Sequence, residues 1–253
     1  MASVTQRIKQ IKQIKQPRGG YINPNMFTIV KMDSLNNLND TENIHASLIG
    51  LAVDYLTRFM NGTKVEDSFR ISLMGANIIN QLSNANNLLN TIKGLDDNSI
   101  ISACKLVGYD VCYRAGVMGY RPVEEILPDK STIENIKIMV ERSLSFIELF
   151  GPIILDGFTF EDGYTNTINT GDGDFLTTET LWDFKVSKSK PTKDHTLQLL
   201  IYSIMGKKSI HKEFENIKKL GIYNPRLNIV YTLDMKLINK DLIETISSEV
   251  IGY

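Results

Sequence analysis

Asp174, Asp183 and Lys185 are the residues of this chain best spaced for joint chemistry. They fall in Gly171-Asp172-Gly173-Asp174 and Asp183-Phe184-Lys185, two strand-like runs joined by a tight turn at Thr178-Glu179. A symmetric hairpin about that turn sets Thr177 opposite Thr180, Phe175 opposite Trp182 and Asp174 opposite Asp183, with facing Cβ atoms about 4.5–5.5 Å apart. Side chains alternate along a strand, so Lys185 projects from the same face as Asp183. Two carboxylates held that close repel unless one is protonated or a cation lies between them, and oxygen donors suit Mg²⁺ or Mn²⁺. A cation with an ammonium beside it suits hydrolysis of a phosphodiester. The metal polarises a phosphoryl oxygen and acidifies a bound water, and the lysine holds the water or the developing charge. The plain alternative is a pair of surface aspartates flanking a glycine-rich turn, since Asp-x-Lys alone also arises by chance.

The elements that must position these groups come next. Residues 192–205 read as a helix in which His195, Gln198 and Tyr202 fall at i, i+3 and i+7 and share one stripe, while Leu197, Leu200, Ile201 and Ile204 form the buried side. Lys188, Lys190 and Lys193 lie in the connection before that helix, as candidate phosphate contacts. Asp172 shares a strand face with Asp174 and competes with it, but only Asp174 is level with Asp183 in the simplest register. Strand-like runs at 153–160, 164–169, 174–177 and 181–186 make a β-meander. A further helix is expected over 210–219, a strand over 227–233 and a closing helix over 240–251. Arg226, in the Tyr223-Asn224-Pro225-Arg226 turn, is either a phosphate contact or a plain turn residue before an edge strand.

Upstream of Gly151-Pro152 the pattern is helical. Leu48, Leu51, Ala52, Tyr55 and Phe59 recur at helical spacing over 44–60, and Asn61-Gly62 stops the run. Further helices are expected over 65–73, 76–93, 98–117 and 132–150. The N-terminal Ile8-Lys9-Gln10 triplet repeats to Gln16, so its isoleucines drift around a helix instead of forming a stripe. This predicts either a basic arm over 1–20 that tracks phosphates, or a frayed tail or short helix lying on the surface. The expected organisation is therefore an arm over 1–20, a mainly helical region over 21–150 containing the 44–60 helix, and a sheet region over 151–253.

Composition narrows the class. With 253 residues, 42% hydrophobic and 23% charged, the chain is ordinary globular material, which excludes disorder and collagen-like repetition. Apolar stretches such as 48–53 are far shorter than the roughly 20 residues a membrane span needs, and lysines stand where a secretory apolar segment would begin. Cys104 and Cys112 alone form no disulfide framework, which predicts a cytoplasmic protein without membrane attachment. The net charge of −1 hides an uneven distribution: residues 1–32 carry six Lys and Arg and no acid, and residues 185–219 carry nine lysines against three acids. Such segments attract anions or merely form solvated faces.

Four pieces in chain order resemble the PD-(D/E)XK nuclease superfamily, and within it the RecB-type branch. Asp174 in Gly171-Asp172-Gly173-Asp174 resembles the branch's Gly-x-x-Asp motif, and Asp183-Phe184-Lys185 its Asp/Glu-x-Lys motif. The run Gln198 to Tyr202 is similar to its Gln-hydrophobic-x-x-Tyr motif, and His45 stands where an upstream histidine ligand belongs. The resemblance covers about residues 165–233. It departs in having Asp where Glu is commoner at position 183, and Gly173 where a proline often precedes the first Asp. It implies a mixed α+β or α/β fold with a restriction-endonuclease-like αβββαβ core and a helical N-terminal extension or insertion. It further implies a Mg²⁺-dependent (or Mn²⁺-dependent) deoxyribonuclease acting on DNA. Metal ligation would fall to Asp174, Asp183, the Phe184 carbonyl and His45, and catalysis to Asp174, Asp183 and Lys185 with Gln198 and Tyr202. Substrate contacts would come from Lys188, Lys190, Lys193 and His195. His45 reads equally as a core histidine, and Glu42, one turn earlier, as a ligand in its place or a helix-terminus charge. The cysteine quartet of some relatives is missing, so no iron–sulfur cluster is expected. A binding protein that keeps the fold without the activity is the alternative from another class. Ile- and Asn-rich usage fits an AT-rich microbial or phage genome and so a replication, repair, mobile-element or defence role.

Overall fold

Thr177 and Thr180 exchange backbone hydrogen bonds of 3.0 and 3.4 Å around Thr178-Glu179, closing the expected hairpin, and its strands pair Phe175 with Trp182 and Leu176 with Leu181. The structure is a computed structural model and describes residues 2–11, 17, 19–34 and 36–253. In chain order the elements begin with β1 (Ala2–Ser3), α1 (Val4–Ile11), β2 (Thr28–Lys31), α2 (Ala46–Met60), α3 (Val65–Ser68), α4 (Arg70–Ile78), α5 (Leu82–Thr91), α6 (Asp97–Leu106), α7 (Asp110–Arg114) and α8 (Lys130–Phe150). They continue with β3 (Leu155–Thr159), β4 (Ile168–Thr170), β5 (Asp172–Leu176), β6 (Thr180–Phe184), α9 (Lys193–Gly206), β7 (Lys219–Asn224), β8 (Ile229–Asp234) and α10 (Lys240–Thr245), which runs on as a π-helical turn. The fold is mixed α+β, in two compact units: 1–32 with 147–253, and 33–146. These divisions differ from the expected ones at 20 and 150, because the N-terminal segment packs with the sheet. Among the described residues no helix is long and apolar enough to cross a membrane.

In the sheet unit six strands lie in the order β2-β8-β7-β6-β5-β3. β3, β5 and β6 form the antiparallel meander, and β4 leaves it to pair with β1. β6 and β7 are parallel, joined by the α9 crossover, and β7, β8 and β2 follow antiparallel. One face carries Leu176, Leu181, Leu220, Ile222 and Leu233 into a core shared with Leu197, Leu200 and Ile201 of α9. On the other face Trp182 packs edge-on against Phe150 and stacks with Phe175. Gly221, level with Trp182, makes this possible: a Cβ there would come within 2.3 Å of the indole.

Residues 196–206 of α9 are buried on every side. The sheet covers one side, and α1 covers another through Val4, Ile8 and Ile11, all at most 3% exposed. Spacing of i, i+4 and i+7 makes one stripe over two turns, so the drift of the triplet repeat never develops within α1. The expected basic arm is thus corrected over 2–11, where β1 leads into α1, a helix packed in the core and not on the surface; Lys12, Ile14, Lys15 and Arg18 lie outside the described residues. Beyond it, Gly20 packs on Lys193 and the Ile22 carbonyl accepts from Thr196 Oγ1 at 2.7 Å.

Two other expectations change. Residues 210–219 form only a 3-10 turn over Lys212–Asn216 before β7, because Phe214 is drawn under Gly206 instead of lining a helix stripe. β2 pairs with the far side of β8, so β8 is internal and not an edge strand, and β2 and β3 are the edges of the sheet.

The helical unit breaks where single long helices were expected. Asn80 takes a left-handed conformation (φ 57°) between α4 and α5, and a 3-10 turn over Val107–Tyr109 separates α6 from α7. α2 ends as expected at Asn61-Gly62, with Gly62 at φ 104°. α4 and α7 approach closely at Gly75, where a Cβ would lie 2.0 Å from the Tyr109 carbonyl oxygen.

Candidate active site

The register of β5 and β6, continued one residue past Phe175 and Trp182, sets Asp174 level with Asp183 on the α9 side of the sheet. The ladder opens there. The Phe184 N–H donates to Asp174 Oδ2 at 2.6 Å instead of to a strand carbonyl. On the other edge of β6, the Lys185 N–H donates to the Tyr223 carbonyl at 2.9 Å, which keeps Lys185 in line with the strand. Asp183 is therefore held between two strands and is 2% exposed.

Lys185 Nζ lies 2.8 Å from Asp183 Oδ1, and its side chain is 29% exposed. The second oxygen, Asp183 Oδ2, is buried with no hydrogen-bond partner. Burial works against the Lys185 charge, but Asp183 and Asp174, with Asp172 after them, outweigh it and hold the ammonium above the usual lysine range. Lys185 is accordingly a cation at neutral pH, fit to stabilise negative charge and not to accept a proton.

α9 supplies the lid of this face. Gln198 is 8% and Tyr202 5% exposed, so the stripe faces protein and not water, and Gln198 Nε2 donates to the Tyr202 hydroxyl at 2.8 Å. Burial pushes the Tyr202 phenol up, as do the charges of Asp172, Asp183 and Asp174, against the hydrogen bond from Gln198. Tyr202 thus stays protonated beside three aspartates. His195 completes the α9 capping box: its Nδ1 accepts from the Thr192 N–H at 3.3 Å, which leaves the proton of the neutral ring on Nε2. Burial, then the Lys185 charge, lowers its pKa, against the pull of Asp183 and Asp194.

The lysine-rich segment is divided by the fold. Lys188 and Lys190 on the β6–α9 connection and Lys193 at the start of α9 are exposed, at the Lys185 end of the sheet. Lys219 starts β7 level with Thr180, at the opposite end, and Lys218 just before it pairs with Glu179 at 2.5 Å. Asn224 is a residue that motif and spacing do not single out. It is 1% exposed, its Nδ2 donates to the Ser187 carbonyl at 2.8 Å, and its Oδ1 accepts from the N–H groups of Arg226 and Leu227. It ties the connection after Lys185 to the β7–β8 turn, and the only sequence signal for it is Asn before Pro. Arg226 lies in that turn, half-buried.

His45 and Glu42 belong to the helical unit. His45 is exposed, which removes the core-histidine alternative; its Nδ1 accepts from the Ser47 N–H at 3.3 Å and caps α2. Glu42 accepts from Asn135 Nδ2 at 3.1 Å. Among the described residues no three His, Cys, Asp or Glu side chains gather as a metal-ligand cluster. The donors at the sheet are two level carboxylates and the strand carbonyl between Asp183 and Lys185. No family model, curated protein or solved structure matches the chain.

Proposed function

We propose that the chain is a divalent-metal-dependent nuclease that hydrolyses phosphodiester bonds of DNA, built on the restriction-endonuclease-like core and similar to the RecB-type branch of the PD-(D/E)XK superfamily. One observation carries the reading: Asp183, 2% exposed, engages Lys185 with one oxygen and leaves the other buried without a donor. A buried carboxylate oxygen lacking a partner is costly, and a cation between Asp183 and Asp174 supplies what is missing. The donors fit Mg²⁺ or Mn²⁺, which are held by one or two carboxylates with water and substrate phosphate filling the other positions. Asp174, Asp183 and the Phe184 carbonyl would hold the ion; the Phe184 N–H is directed toward β5, and a strand residue's carbonyl points to the same edge. Such an ion, when bound, polarises a phosphoryl oxygen and lowers the pKa of a coordinated water.

The chain's own residues do the rest. Lys185, kept cationic by Asp183 and Asp174, stabilises charge that builds on the phosphoryl oxygens. Tyr202 and Gln198 brace each other under the carboxylates, and His195 offers an Nε2–H donor from the first turn of α9. Lys188, Lys190 and Lys193 hold the strand backbone, which makes affinity depend on salt. The meander β3-β5-β6, the crossover α9 and the parallel β7 support the expected core order.

The test is cleavage of linear and circular, single- and double-stranded DNA with Mg²⁺ or Mn²⁺, beside Asp183→Asn, Lys185→Ala and a chelator control. Cutting that needs the metal and is lost in both folded variants is the expected result. Cutting that survives either substitution removes these residues from the reaction. No cutting with DNA binding retained moves the reading to a binding protein on the same fold.

A further inference from the structure

The helical unit contains a cavity of about 630 Å³, a size that suits a small organic ligand. Its walls include Leu48 and Leu51 of α2, Val107 and Val111 around the start of α7, and Ile126. Five groups able to carry charge also line it: His45, Asp110, Arg114, Arg121 and Glu125.

Asp110 stands at the base of this arrangement as a brace. It is 1% exposed; its Oδ1 accepts from Ser72 Oγ at 2.5 Å, and its Oδ2 from the Tyr55 hydroxyl at 2.6 Å and Arg114 Nε at 3.5 Å. Burial raises the Asp110 pKa, and these hydrogen bonds together with the Arg114 charge pull it back. With its oxygens taken, Asp110 holds Arg114 Nε, and Arg114 Nη2 donates to the Tyr55 hydroxyl at 3.4 Å, while 41% of the Arg114 side chain remains exposed. His45 uses Nδ1 as the cap of α2, so the neutral ring carries its proton on Nε2 as a donor. Among the described residues Arg121 and Glu125 have no side-chain hydrogen-bond or ion-pair partner, although both line the same cavity.

A cavity with aliphatic walls, two guanidinium groups, an imidazole donor and one unpaired carboxylate asks for a ligand with a flat or apolar body, an anionic group and a hydrogen-bond donor. We propose that this cavity binds a nucleoside phosphate whose base bears an exocyclic amine. The phosphate meets Arg114 and Arg121, the guanidinium fork being suited to phosphate oxygens. The amine donates to Glu125, as cytosine N4 does to carboxylates elsewhere. The base lies on the aliphatic wall. The same chemistry is offered by a free mononucleotide and by the phosphorylated end of a strand.

The experiment is calorimetric titration of the full chain, in chelator, with dAMP, deoxyadenosine, inorganic phosphate and a 5′-phosphorylated oligo-dA. Saturable dAMP binding is expected, with deoxyadenosine and phosphate each at least ~10-fold weaker, as loss of charge-assisted hydrogen bonds predicts. Arg121→Ala should weaken dAMP at least ~10-fold by the same argument. Ala115→Trp, which fills the cavity from an exposed lining position, should remove binding without lowering the melting temperature. Tighter binding of the oligonucleotide, lost in the same variants, identifies a strand end as the source; equal binding identifies the free nucleotide. Asp183→Asn, in the other unit, should bind dAMP as the unaltered chain does, so this site stands or falls apart from the nuclease reading. No dAMP binding at about 1 mM, binding indifferent to both Arg121→Ala and Ala115→Trp, or binding lost in Asp183→Asn overturns the proposal.

Discussion

Replacing Lys185 by Met tests whether Asp183 waits for a cation. In the folded chain the carboxylate is 2% exposed and has one charged partner at 2.8 Å and one orphan oxygen. Removing one member of a buried pair costs about 3–5 kcal/mol, and the partial exposure of Lys185 favours the lower end of that range. At roughly 2–4 °C per kcal/mol for a chain of this size, the sheet unit should melt about 6–12 °C lower in chelator. Asp183→Asn removes the charge instead, and the ammonium it leaves can turn to water, so its loss is about 1.5–3 kcal/mol. The double variant should cost less than the two singles together, by about 2 kcal/mol, because the pair is lost once. Mg²⁺ should then separate the variants. A cation bound at Asp174 and Asp183 stabilises Lys185→Met by about 2.7 kcal/mol at a hundred times its Kd, and does little for the double variant. The readout is the fluorescence of Trp182, the chain's one tryptophan, which lies on β6 beside the pair and reports on the sheet unit. If Lys185→Met in chelator melts within about 1 kcal/mol of the unaltered chain, the argument from the buried carboxylate fails. If Mg²⁺ raises the double variant as much as the single, the metal argument fails with it.

Other substitutions test the supporting structure. Ile8→Ala should lose about 2–5 kcal/mol by urea denaturation while Lys9→Ala stays within about 0.5, since one is core and the other solvent-facing; equal effects would return α1 to the surface. Gly221→Ala should lose about 1–3 kcal/mol and shift Trp182 emission, because the new Cβ would fall 2.3 Å from the indole; an unchanged spectrum would contradict that packing. The His195 pKa is lowered on folding, so below about 6.5 the unfolded chain takes up a proton the folded one resists, and stability falls as the pH drops toward the folded value. Urea midpoints in chelator at pH 7.5 and 5.5 should therefore diverge more for the unaltered chain than for His195→Gln, and equal divergence would refute the assignment. Replacing Lys188, Lys190 and Lys193 together by Ala should flatten the salt dependence of DNA binding by up to about 0.9 for each phosphate no longer neutralised, against no change if they merely face solvent.

What the sequence made legible was local. The Thr178-Glu179 turn and the alternation around it specify the hairpin register, and Asn61-Gly62 specifies the end of α2. The span of α9 is readable because its apolar residues sit between a capping Thr192 and the residues after Gly206. What stayed hidden depended on partners distant in the chain. Val4, Ile8 and Ile11 look like part of a drifting repeat until α9 is there to bury them. Residues 210–219 carry Ile210, Phe214 and Ile217 at helical spacing, yet Phe214 answers to Gly206 and the following run pairs with β6. Gly173 and Gly221 each make room for an aromatic ring, Phe158 and Trp182, whose identity lies on another strand. The cavity of the helical unit was invisible for the same reason, since Arg121 and His45 are brought to one hollow only by the folding of the whole stretch between 33 and 146.

The sheet unit is discontinuous, with residues 33–146 inserted between its N-terminal 32 residues and the remainder. During synthesis α1 leaves the ribosome ahead of the helix it covers, which arrives roughly 180 residues later, about 10–40 s at ~5–20 residues per second. The nascent chain therefore carries the apolar stripe of Val4, Ile8 and Ile11 uncovered through the whole time the helical unit needs to emerge and fold. In vectorial terms the insert can mature before the sheet unit is complete, and the carboxylate pair is assembled only once α9 has emerged to receive α1.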